Sequence, residues 1–120
     1  MTLRRKLLGE KGEAIAKDYL LKNGYEIIRT NYRTRFGEID IIAKTEKYLV
    51  FVEVRAKSSL NFGSAEESIS RVKKAKIRRV AQSFILQEKA FKETLRFDVI
   101  AVIFNKHQEL IETRHYENAF

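Results

Sequence analysis

Apolar residues recur at helical spacing from Leu7 to about Asn23, where Leu8, Ala14, Ile15, Ala16, Tyr19 and Leu20 fall at intervals of three and four. Asn23-Gly24 then supplies a helix stop, so a first helix is predicted over this stretch. Tyr25 to Arg33, centred on Ile27 and Ile28, reads as a strand. Phe36-Gly37 turns the chain into a second strand, Glu38 to Ala43, and Lys44 to Lys47 form a polar loop. Tyr48 to Lys57 is the strongest strand pattern of all. A loop from Ser58 to Gly63 follows, and Ser64-Ala-Glu-Glu67 has the spacing of a capping box that opens a helix running to about Glu88. Arg96 to Phe104 and Glu109 to His115 are two further strands, joined through Asn105-Lys106-His107. Helix, three strands, helix, two strands is the order of an α/β domain with helices packed on a central sheet.

The hairpin of the second and third strands puts carboxylates where a sheet does not favour them. A register centred between Glu46 and Lys47, inside the polar loop, sets Asp40 opposite Glu53. Opposed residues have Cβ atoms about 4.5–5.5 Å apart, and like charges there repel. Both acids stand in apolar strands, Asp40 among Ile39, Ile41 and Ile42, and Glu53 between Val52 and Val54. Alternation gives Leu49, Phe51, Glu53, Arg55 and Lys57 one face of their strand. Two readings follow. Asp40 and Glu53 either pair with Arg55 and Lys57 in a sheet-edge ion network, or they hold a hard divalent cation, Mg²⁺ or Mn²⁺, which binds a few carboxylates and keeps several waters.

Glu13 adds a third acid along the apolar stripe of the first helix, with Gly9, Ala16 and Leu20 as its neighbours. Gly9 and Gly12 would let that turn approach the sheet closely; a capping or solvated-edge role for Glu13 is the competing reading. Lys73 interrupts the inward stripe Ile69, Ile77, Val80, Phe84 of the second helix, either to snorkel or to reach a site. Arg71, Lys74, Lys76, Arg78 and Arg79 read as a solvated or phosphate-facing side of that helix.

Composition bounds the rest. A chain of 120 residues with 44% hydrophobic content, 13 of its residues aromatic, suits one domain over residues 1–120. No cysteine means no disulfide, zinc–thiolate or iron–sulfur site and no thiol nucleophile. Absence of proline argues against linkers. No apolar run approaches a membrane span and no secretory signal stands at the start, so the cytoplasm is the expected location. Twenty-four Lys and Arg against sixteen Asp and Glu leave +8, which favours a polyanion partner, most often nucleic acid. His107 and His115 are isolated, lack paired-ligand spacing and are expected at the surface. Ser58, Ser59 and Ser64 lack nucleophile-elbow context, and the glycines form neither a phosphate loop nor a dinucleotide fingerprint. Arg96 and Asp98, flanking Phe97 on a strand, are expected to form a structural ion pair rather than to act in catalysis.

Asp40 followed by a strand ending in Glu53-Val-Arg55 resembles the D…(D/E)xK signature of restriction-endonuclease-like nucleases. A wider pattern is more specific: Gly9-x-x-Gly12-Glu13, Asn31-Tyr-Arg33, Gly37-Glu-Ile-Asp40, Phe51-Val-Glu-Val54, Phe62-Gly63, Lys73, Arg96-Phe-Asp98 and Asn118-Ala-Phe120. Together these resemble the YraN-type family, small bacterial proteins regarded as endonucleases similar to archaeal Holliday junction resolvases. The resemblance spans essentially the whole chain. It implies a restriction-endonuclease-like fold, a central mixed sheet flanked by helices with an αβββαβ core. It also implies Mg²⁺- or Mn²⁺-dependent attack of water on a DNA phosphodiester, on branched DNA such as a four-way junction, in repair or recombination. Glu13, Asp40 and Glu53 correspond to its acidic, metal-binding positions. Related resolvases act as dimers, which makes a homodimer a candidate assembly. The signature's lysine position holds Arg55, with Lys57 two residues on, an order reversed from many members. Arginine cannot accept a proton but grips phosphate bidentately. Arg55 and Lys57 are therefore the expected catalytic cations, and Arg33, Arg35, Arg55, Lys57 and Lys73 the expected nucleic-acid contacts. The alternative is a binding module with a nuclease fold and no turnover.

Overall fold

The computed structural model describes residues 3–58, 69–89 and 91–120, and side chains from residue 6 onward. Its elements run α1 (Leu3–Lys22), β1 (Glu26–Thr34), β2 (Gly37–Lys44), β3 (Tyr48–Ser58), α2 (Arg71–Glu88), β4 (Thr94–Phe104) and β5 (Leu110–Tyr116). The strands form one mixed sheet in the order β1-β2-β3-β4-β5. β1, β2 and β3 make an antiparallel meander, β4 runs parallel to β3, and β5 returns antiparallel to β4. The parallel pair needs a long crossover, and α2 lies within it.

One helix covers each face. Ala16 and Leu20 of α1 pack on Ile41, Ala43, Val50, Val52, Ile100 and Val102. Ile77, Val80, Ala81 and Phe84 of α2 pack on Ile39, Ile42, Leu49 and Phe51. The alternation expected for the third strand is therefore realised, Val50 and Val52 toward α1 and Leu49 and Phe51 toward α2. Gly12 lets α1 approach the sheet closely, since a Cβ there would stand 3.1 Å from the Ala56 Cβ. Gly9 does not share this role, because a Cβ there would meet nothing within 4 Å.

Element ends follow local chemistry. α1 closes in a Schellman motif: the Tyr25 N–H donates to the Leu20 carbonyl at 3.0 Å, the Gly24 N–H to Leu21 at 3.3 Å, and Gly24 takes φ +85°. The capping box expected at Ser64 to Glu67, and the loop before it from Ser59 to Gly63, lie outside the described residues. The start of α2 is nonetheless a correction. Ser70 is extended (φ −67°, ψ 159°) and its hydroxyl accepts from the Lys73 N–H at 3.1 Å, so the helix begins at Arg71.

Candidate functional site

The β2–β3 ladder runs Lys44↔Leu49, Ala43↔Val50, Ile42↔Phe51 and Ile41↔Val52, the register expected from the polar loop. It stops one pair short of Asp40 and Glu53. There the Asp40 carboxylate takes over, its Oδ2 accepting the Val54 N–H at 2.8 Å. Ile41 and Ala43 face α1, whereas Ile42 and Ile39 face α2, so strict alternation breaks at Asp40. Its neighbour on β1 is Asn31, between the pairs Thr30↔Ile41 and Tyr32↔Ile39. Asn31 holds φ +50°, a left-handed conformation that Asn tolerates better than most residues. Both strands thus change face at one level of the sheet, and Asp40 is left between the two helical layers.

Acids reach Asp40 from both layers. Glu13, on α1, accepts from Asn31 Nδ2 at 3.0 Å. A cleft of about 180 Å³ is lined by Glu10, Glu13, Lys17, Thr30, Asn31 and Asp40. Glu53, on β3, is 6% exposed and its Oε1 lies 2.7 Å from the Lys73 Nζ of α2. Burial, with the Glu53 and Glu13 charges behind it, pushes the Asp40 carboxyl up to about 8, against the pull of the Val54 N–H and of Lys73. A carboxylate in this position is short of positive charge.

The expected residues therefore divide. Glu13, Asp40, Glu53 and Lys73 form one electrostatic cluster. The sheet-edge network of Asp40 and Glu53 with Arg55 and Lys57 does not form; Glu53 pairs with Lys73, and Arg55 and Lys57 make no hydrogen bond or ion pair among the described residues. Lys73 directs its ammonium to a buried acid and does not snorkel. Arg33 pairs with Glu38 at 3.2 Å. Arg35 lies against Phe36 on the β1–β2 turn, 4.9 Å from the ring centroid. Among the described residues no group of three acids or histidines is arranged to hold a metal ion as the side chains stand. Mg²⁺ takes one or two carboxylates with waters, and Asp40 and Glu53 each keep an oxygen without a partner among the described residues, so the donor set is of the kind a hard cation takes. Asn31 was legible as part of a pattern but not as the residue that orients Glu13.

A second buried cluster serves the fold. Asp98 is fully buried and accepts from Arg96 Nε and Nη2, from the Asn118 N–H at 3.0 Å and, at 2.7 Å, from His115 Nε2. Arg96 also donates to the Tyr25 hydroxyl at 2.6 Å, and the Tyr19 hydroxyl meets His115 Nδ1 at 3.2 Å. Burial alone would raise the Asp98 carboxyl, yet His115, Arg96 and Asn118 together hold it below its ordinary range. The expected Arg96–Asp98 ion pair is present. The surface placement expected for His115 is corrected: its side chain is 7% exposed, drawn inward by Asp98. His107 is exposed as expected.

Among the described residues no helix is long and apolar enough to cross a membrane. Residues 12–102 match the family model described as uncharacterised protein family UPF0102. A UPF0102 protein of Desulforamulus reducens is 46% identical over 121 residues, covering 99% of each chain. One from Caldicellulosiruptor saccharolyticus is 41% identical over 98% of this chain and all of its own length. Another, from Dictyoglomus thermophilum, is 33% identical over the same shares of both chains.

Proposed function

The chain belongs to the uncharacterised protein family UPF0102, and on that footing we propose that it is a metal-dependent DNA endonuclease with a restriction-endonuclease-like fold, acting on branched or structured DNA. The observation that carries this reading is the Asp40 carboxyl, pushed up to about 8 by burial and by two neighbouring acids. A fold keeps such a tension where a cation relieves it, and hard-oxygen donors beside basic residues suit Mg²⁺ or Mn²⁺ and a phosphate. The meander, helical crossover and parallel β4 are compatible with that fold.

Asp40 and Glu53 would hold the ion, and Glu13, steadied by Asn31, lines the same cleft as Asp40. The ion supplies water activation and charge neutralisation at the phosphorus. Lys73 meets one Glu53 oxygen, Oε1, at 2.7 Å. Arg55 and Lys57, two and four residues beyond Glu53 and unpaired among the described residues, would take the scissile phosphate. Hydrolysis forms a P–O bond from water and breaks one P–O ester bond, and the ester oxygen leaves as a hydroxyl. The test is a cleavage panel over linear, single-stranded, flap and four-way substrates with Mg²⁺ or Mn²⁺, run beside Asp40→Ala. Absence of Asp40-dependent cleavage on every substrate refutes the proposal.

Arg55 favours one other reading, a nucleic-acid-binding module without turnover, because a guanidinium cannot accept the proton of an attacking water. On that reading Asp40→Asn and Glu53→Gln leave DNA binding intact or tighten it by removing negative charge. Loss of binding in both variants at every metal concentration excludes it.

A further inference from the structure

The turn between β1 and β2 stands against α2, and one aromatic ring there carries two cations. The Arg35 guanidinium carbon lies 4.9 Å from the Phe36 centroid and that of Arg79 lies 4.5 Å from it. Neither arginine has a carboxylate partner among the described residues. A guanidinium stacked on a ring keeps its in-plane N–H donors available and loses the freedom of a solvated arginine. Two like charges on one ring also repel, so packing alone does not call for the second.

The groove beside the ring adds neutral donors and no acid to its lining. A groove of about 400 Å³ is lined by Phe36, Arg79, Gln82, Ser83, Leu86 and Gln87. Gln87 spends its carbonyl on the Tyr32 hydroxyl at 3.0 Å and keeps its amide donors free. Lys76 is exposed beside Gly37, one turn before Arg79 on α2. Arg29 and Arg33, close by on β1, are by contrast neutralised by Glu88 and Glu38.

We propose that the β1–β2 turn and the adjoining face of α2 dock the phosphodiester backbone of a nucleic-acid strand, with Arg35 and Arg79, set by Phe36, as the anchoring pair. The inference rests on the nucleic-acid reading above and gives it a second contact outside the acidic cluster. Six residues of helix separate Lys73 from Arg79, about 9 Å along α2. At about 3.4 Å per nucleotide along a strand, the anchor lies roughly three nucleotides from a phosphate at Asp40 and Glu53. The strand would be fixed at one place and cut at another.

Binding of the full chain to a short fluorescent DNA duplex, and to an RNA duplex of the same sequence, is measured by anisotropy in EDTA across a salt series. Arg35→Gln with Arg79→Gln should weaken binding about tenfold and lower the slope of log K against log salt by about two. Lys47→Gln with Lys92→Gln removes the same charge at a groove elsewhere on the molecule and should change little. Phe36→Leu, checked for folding by circular dichroism, should weaken binding with the salt slope unchanged. If DNA and RNA are affected alike, the surface reads backbone alone; an effect on one identifies which strand it takes. Equal weakening by the two double variants, wild-type binding by the arginine double variant, or no nucleic-acid binding by the wild type overturns the proposal. If Asp40-dependent cleavage persists while the arginine pair proves irrelevant, the docking surface falls and the nuclease stands. Arginine-dependent binding without cleavage gives the opposite result.

Discussion

Replacing Asp40 by Asn should make the metal-free protein more stable, and only at neutral to alkaline pH. Asn keeps an oxygen to accept the Val54 N–H, so the backbone bond at the end of the β2–β3 ladder survives. What it removes is a charge held among acids. The carboxyl rises from 3.8 in the ordinary state to about 8 in the folded chain. A raised carboxyl favours the protonated fold. Its stabilisation is complete below the unfolded value and disappears as pH rises through the folded one. Four pH units at about 1.4 kcal/mol each set a ceiling of roughly 6 kcal/mol. Solvent at the cleft reduces this, and about 2 kcal/mol is expected between roughly pH 5 and pH 8.5. For a domain of this size that is a melting-temperature difference of the order of 8 °C. Thermal melts in EDTA should give similar wild-type and Asp40→Asn temperatures in acid and a widening gap, in favour of the variant, as pH rises. Mg²⁺ should raise the wild type and leave the variant in place. A gap of constant size across pH, or an equal Mg²⁺ response in both proteins, refutes the electrostatic account of the site.

Asp98→Ala should lose about 3–5 kcal/mol in urea denaturation, because it leaves the Arg96 guanidinium buried without its anion and two other donors, His115 Nε2 and the Asn118 N–H, unmatched. Lys73→Met should lose about 1–2 kcal/mol in urea denaturation at neutral pH, less than a fully buried pair since Lys73 is 44% exposed. Gly12→Val should lose about 2–3 kcal/mol as α1 lifts from Ala56, whereas Gly9→Ala should gain about 0.5–1 kcal/mol. Guanidinium melts of the two glycine variants check both signs together.

The sheet was legible because its signals are local. A polar loop with a definite centre sets the register of β2 on β3, and unbroken alternation sets the faces of Val50 to Phe51. The onset of α2 was not legible because Ser70, the residue that caps the helix, has Lys73 in place of an acid three residues on and so lacks the capping-box signature. The acids of the site were legible as apolar-context anomalies. Their partners were not: Lys73 reaches Glu53 across the sheet–helix layer, and no spacing rule joins positions 53 and 73. Asn31 was hidden for another reason. Alternation assumes a straight strand, and the left-handed Asn31 stands at the level where both strands change face beside Asp40. His115 and Asp98 meet across the β4–β5 pair, 17 residues apart, where one histidine in a polar strand end carries no sign of its neighbour.

The two aspartates of this sheet separate structural from chemical burial. Asp98 is the more deeply buried, yet four donors surround it and its carboxyl stays below the ordinary range. Asp40 has one backbone donor, faces two acids, and is driven upward. Burial is common to both, so burial cannot be the cause of the difference; the supply of donors is. A fold under selection for stability alone has apolar residues available at position 40, where Ile39, Ile41 and Ile42 already pack. An acid kept there against about 2 kcal/mol of strain is what the proposed metal site accounts for, since Lys73 is committed to Glu53. The Asp40→Asn melts and the cleavage panel therefore probe one imbalance twice, first as stability the site forgoes and then as the activity proposed for it.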